Sequence, residues 1–111
     1  MSNMKRMANS KAREYVQSRL PFNGSNLLGI WEPHPAGEFY VVRSYGWWPL
    51  FAYHEKMKVW YENLQHYSPT TSKHKTQAHP LHPTIVVDVR TMGEVFKIGA
   101  GAITLRKESE E

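Results

Sequence analysis

The sequence predicts an α+β fold: a small antiparallel sheet of three to five strands, packed with an N-terminal helix and two short helices. Three observations lead there. An apolar stripe at helical spacing opens the chain. A run of aromatic and β-branched residues broken by turn signals fills its middle. Proline-bounded helical segments then flank one more β-branched run in the last third. At 111 residues the chain has room for one core, so a single domain is expected over 1–111, with flexible tails at 1–7 and 107–111.

Each element has a local reason. Ala8, Ala12, Tyr15, Val16 and Leu20 fall on one helical face, and Pro21 stops that helix. Asn23 to Asn26 is a turn cluster, Leu27 to Trp31 a short apolar run, and Glu32 to Gly37, with two prolines, a loop. Glu38 to Tyr45 reads as a strand with Phe39, Val41, Arg43 and Tyr45 on one face and Tyr40, Val42 and Ser44 on the other. Trp47 to Tyr53 is the second strand of a meander, and Pro49 within it calls for an edge or a bulge. Met57 to Glu62 is the third, joined by His54-Glu55-Lys56. Ser68-Pro69 has the N-cap and N1 signature of a helix running to Ala78. Thr84 to Arg90 follows as a strand, and Thr91-x-x-Glu94 matches a capping box for a helix ended by Gly99-Ala-Gly101. Ile103 to Leu105 is expected as a last edge strand.

Composition narrows the function. With no cysteine, disulfides, thiolate metal sites and thiol nucleophiles are excluded. No apolar run reaches the ~20 residues needed to span a bilayer, and the basic, polar start Met1–Lys11 shows no secretion signal, so a cytoplasmic protein without membrane contact is expected. The net charge of +4 is uneven. Residues 1–31 carry Lys5, Arg6, Lys11, Arg13 and Arg19 against Glu14 alone, and residues 65–87 carry Lys73 and Lys75 with no acid. Such clustering suits an anionic partner.

Two stretches could carry chemistry. Ser68, Thr70 and Thr71 at a helix start, with Lys73, His74 and Lys75 behind them, could hold a phosphate, and Trp60 and Tyr67 just upstream could stack on a base. The same pattern fits an ordinary capped helix with a solvated face. Trp47 and Trp48 are adjacent on a strand and so point to opposite faces, which leaves one ring in need of a partner. His74, His79 and His82 lack the spacing of a zinc site, so no metal and no cofactor are expected. Catalytic motifs are missing too: the acids are scattered, no Gly-x-Ser-x-Gly elbow exists, and Gly99-Ala-Gly101 lacks the third glycine of a dinucleotide loop. A non-enzymatic protein is the expectation.

The order Tyr40-Val-Val-Arg-Ser-Tyr-Gly46, Pro49-Leu-Phe51, Trp60-Tyr-x-Asn63 and Tyr67-Ser-x-Thr-Thr-Ser-Lys-His74 resembles a family of small bacteriophage-encoded domains with no established activity. Ala12-Arg13 and the segment from Arg19 to Asn26 are similar to it as well, so the resemblance covers about residues 12–80. It implies an infected bacterial cytoplasm and, as a class, proteins that bind a host component. Three readings follow. The first is a binder of nucleic acid through Lys11, Arg13, Arg19, Lys73, His74 and Lys75. The second is an inhibitor of a host protein acting through Trp47 and Trp48. The third is a small-nucleotide sponge that uses the Ser68–Lys75 helix start in a homo-oligomer.

Overall fold

The computed structural model describes residues 6–65 and 69–103, and for residues 6, 7 and 69–72 the backbone alone. Its strands lie side by side in chain order: β1 (Arg6–Met7), β2 (Phe22–Gly24), β3 (Leu27–His34), β4 (Gly37–Ser44), β5 (Trp48–His54), β6 (Val59–Asn63) and β7 (Thr84–Val87). The sheet is larger than the three to five strands expected, with six strands beside the two-residue β1. It is also mixed rather than antiparallel, because β1 pairs with β2 and β6 with β7 in parallel. Parallel neighbours need a crossover, and each has a helix to make it: α1 (Ala12–Gln17) between β1 and β2, and α2 (Pro69–Ala78) between β6 and β7.

Both crossover helices cover one face of the sheet. Ala12, Val16 and Ala78 pack there on Phe22, Leu27, Tyr40, Val42, Phe51, Tyr53 and Trp60. α3 (Val89–Ile98) covers the other face, where Met92 and Val95 meet Phe39, Val41, Ala52 and Tyr61. The central strands β4 and β5 are therefore buried on both faces, which explains their near-continuous apolar runs. The alternation read from the sequence holds along β4, with Tyr40, Val42 and Ser44 facing α1 and α2 and Phe39 and Val41 facing α3.

The local corrections have physical causes. β3 runs on through Glu32, Pro33 and His34, which the prolines had suggested was a loop. β2 pairs β3 only at Leu28 and Gly29, so β3 is an edge by Pro33 and its missing N–H breaks no ladder. Pro49 sits at a bulge, where the β4–β5 register shifts between Val42 and Arg43. β6 starts two residues later than expected because residues 55–58 form a turn, with Lys58 in the left-handed region at φ 55° and its N–H on the His54 carbonyl at 2.7 Å. β7 ends at Val87 because Asp88, not Thr91, caps α3, accepting from the Thr91 amide at 2.7 Å. Gly99 ends α3 at φ 75°, and Ile103 lies in a helical turn rather than a strand. Thr104 and Leu105 lie outside the described residues, as does the Ser68 cap of α2.

Gly29 is fixed by a close approach. A Cβ there would collide with the Phe22 ring and the Tyr40 hydroxyl. That hydroxyl donates to the Leu20 carbonyl at 2.6 Å, and Trp31 Nε1 donates to the Arg19 carbonyl at 3.1 Å, so the exit from α1 is pinned to the sheet. Burial drives the Tyr40 phenol far above its usual range. Among the described residues no helix is long and apolar enough to cross a membrane.

Candidate functional site

The basic residues singled out from the sequence do not form one surface. Arg13 donates from Nε to the His79 carbonyl at 2.8 Å and from Nη2 to the Thr76 carbonyl at 3.0 Å, so it ties α1 to the end of α2. Lys75 is mostly buried in an ion pair with Glu62 at 2.9 Å. The same carboxylate accepts from Thr84 Oγ1 at 2.6 Å and contacts His79 Nε2 at 3.1 Å, joining α2, β6 and β7. His74 is buried, with Nδ1 2.8 Å from Ser44 Oγ. Burial, and then the Lys73 charge, hold its imidazole below the usual value. Lys11 and Lys73 remain exposed. Tyr67 and Ser68 lie outside the described residues, as do the side chains of Thr70 and Thr71 in α2.

The aromatic candidates also divide. Trp60 is 4% exposed and packs between Tyr40 and Tyr53, so it is a core residue rather than a free stacking platform. Trp48 is half-buried against the α1/α2 core, and Trp47, in the turn before β5, is 52% exposed with its ring 5.5 Å from Trp48. Of the adjacent pair it is thus Trp47 that faces outward. The Ser44–His74 contact has the form of a nucleophile and a base, but Ser44 is fully buried and no substrate atom could reach its Oγ. Among the described residues no three His, Asp or Glu side chains converge as a metal site.

What the structure does bring together is a cavity of about 460 Å³ where the end of α1 meets β5, β6 and β7. Its wall is Tyr53, Val59 and Trp60, with Pro83 and Ile85 on the β7 side, and its cations are Arg19 and Lys58. His82 and Thr84 complete the lining, which contains no acid among the described residues. The Tyr53 and Trp60 rings lie 5.2 Å apart, and the Arg19 guanidinium carbon sits 4.6 Å above the Tyr53 ring. Lys58 also pairs with Glu55 at 3.3 Å, an exposed contact of little strength.

Arg19 owes its position to the way α1 ends. The Leu20 amide donates to the Tyr15 carbonyl at 2.8 Å and the Arg19 amide to the Val16 carbonyl at 3.0 Å, the two bonds of a Schellman stop. That motif puts residue 19 in the left-handed region, φ 52°, where glycine is favoured, yet the chain has arginine. Of the cavity residues, Arg19 and Trp60 were singled out from the sequence. His82 was weighed only as a metal ligand, and Tyr53, Lys58 and Thr84 were not singled out, because they converge only through the strand pairing and the parallel crossover to β7.

The chain is thus a three-layer α+β module, helices on both faces of one mixed sheet, with an open cavity of basic and aromatic character. Comparison with protein-family models, curated proteins and solved structures gives no match to it.

Proposed function

We propose that this chain is a non-enzymatic nucleic-acid-binding protein whose contact centre is the Arg19 cavity. The observation that carries the reading is an apolar wall, backed by the buried Tyr53 and Trp60 and offering Pro83 and Ile85 to solvent, rimmed by Arg19 and Lys58, with no carboxylate among the described lining residues. A nucleotide unit has the complementary parts, a flat base for the wall and a phosphate for the cations. Arginine at a position that favours glycine supports it, since backbone strain tends to be kept where a side chain has work to do. The basic helix segments play a smaller part than their sequence suggests, because Arg13 and Lys75 are engaged in holding α2. The setting that the resemblance implies, a bacterial cytoplasm during phage infection, belongs to the same proposal.

The test is fluorescence anisotropy with a labelled oligonucleotide at two salt concentrations. Two phosphate contacts on a single strand give a salt slope of about −1.4, or about a sevenfold loss of affinity for a fourfold rise in salt. Absence of binding at low salt would refute the proposal. A second reading, attachment to a host protein, is favoured by the exposed Trp47 with Tyr45 beside it in the same turn. Its affinity would depend on Trp47 and little on salt.

A further inference from the structure

We infer that the bound nucleic acid is a single strand that wraps the turn between β5 and β6, passing from the Arg19 cavity to a second cavity on the opposite face of the sheet; the inference rests on the function proposed above. The second cavity, about 480 Å³, lies between that turn, the Pro35-Ala36 turn and the end of α3. Its lining includes His54, Lys56, Met57, Lys97 and Gly99, and again no acid among the described residues. The two cavities are back to back. Tyr53 lines the first on the α1/α2 side, and the next residue, His54, lines the second on the α3 side. The turn gives Lys58 to one and Lys56 and Met57 to the other, so a chain that crosses it remains among cations throughout.

The carboxylates near this path do not close it: Glu62, which accepts from Thr84, is held by Lys75 at 2.9 Å. Glu55 pairs with Lys58 at 3.3 Å and Glu94 with Lys97 at 3.8 Å, but all four side chains are about half exposed or more, and such pairs exchange readily for a phosphate. Of the lining residues Gly99, at φ 75°, lies against the buried His54 ring, where an added Cβ would come within 3.5 Å of Cε1, so that side of the cavity is kept free of a side chain. Phosphates would lie on the two exposed cations of the lining, Lys56 and Lys97.

This geometry selects the type of nucleic acid. A duplex is stiff over about 50 nm and cannot turn back over a four-residue loop, whereas a single strand of about four to six nucleotides can. With about four phosphates neutralised instead of two, the salt slope should steepen from about −1.4 to about −2.8.

The experiment compares the 5′-phosphorylated dinucleotide, tetranucleotide and hexanucleotide of thymidine and of uridine, and a hairpin duplex, by anisotropy at several salt concentrations. The proteins are the wild type, the Lys56→Ala/Lys97→Ala double variant and Arg19→Gly. Expected are affinity that rises from dinucleotide to hexanucleotide, the steeper slope for the hexanucleotide alone, and weak duplex binding. Lys56→Ala/Lys97→Ala should weaken the hexanucleotide about tenfold, return its slope to the dinucleotide value and leave the dinucleotide unchanged. Equal affinities for all lengths, or equal binding of duplex and single strand, would overturn the wrapped path. If dinucleotide binding that is lost in Arg19→Gly persists in that case, the Arg19 cavity stands and only the second cavity falls. Failure of every oligonucleotide to bind would overturn both.

Discussion

Arg19→Gly separates the folding role of residue 19 from its role in binding. The backbone there is left-handed at φ 52°, and the two amide bonds that end α1 do not involve the side chain. Glycine therefore keeps the stop and relieves a strain of about 1 kcal/mol. Against this, glycine loosens the unfolded chain by about 0.5–1 kcal/mol, and removal of the guanidinium from the Tyr53 ring and from the Gln17 carbonyl, to which Nη1 donates at 3.1 Å, costs about 1 kcal/mol more. The contributions nearly cancel. The variant should be destabilised by no more than about 1 kcal/mol, a fall in melting temperature of at most about 5 °C. Binding should suffer far more, because a charge-assisted contact of about 1.5–3 kcal/mol is lost, about tenfold to a hundredfold in affinity. Calorimetry and anisotropy on one preparation measure both. A loss of stability above about 3 kcal/mol, or unchanged oligonucleotide affinity, would refute the reasoning.

Other consequences can be checked separately. Burial raises the Glu62 carboxyl, but hydrogen bonds from Lys75 and Thr84 and the charges of Lys75 and His79 outweigh it, so its pKa lies below the ordinary 4.5. Its stabilisation is then complete above that value and is lost as pH falls through the folded-state pKa. Urea unfolding between neutral pH and about pH 3 should show this fall, and Glu62→Gln should flatten part of it. Glu32 is depressed in the same direction, burial again being outweighed by Arg43 and His34, and adds to the same window. His74 should remain neutral below the ordinary 6.5 in an NMR titration, which costs stability as pH drops past that value, and Lys73→Ala should move its pKa partly back up. Gly29→Ala should cost about 2–3 kcal/mol in chemical denaturation, since the new methyl meets Phe22 and Tyr40. Trp47→Ala should leave both stability and oligonucleotide binding nearly unchanged, because the ring is half exposed and lines neither cavity.

Much of the fold was legible in the sequence because its signals are local. The period-2 face of Tyr40, Val42 and Ser44, the bulge at Pro49 and the bounds of α2 all come from neighbouring residues. Parallel pairing is not local. Nothing within Thr84–Val87 says that it lies beside Trp60–Asn63 in the same direction, so the sheet was undercounted and its mixed character missed. The site failed for the same reason. Arg13, His74 and Lys75 look like free cations and bases in sequence, and become anchors only once His79, Ser44 and Glu62 are brought to them. Lys58 joins Arg19 only through the β5–β6 hairpin, and Thr84 only through the crossover.

The most direct test of the central claim is a backbone and indole NMR titration of the whole chain with a single-stranded hexanucleotide at low salt. The largest shifts should fall on Arg19, Lys58, the Trp60 indole and Thr84, with smaller ones at Lys56 and Lys97. Shifts confined to Lys11, Lys73 and the exposed face of α2, or none at all, would contradict that claim.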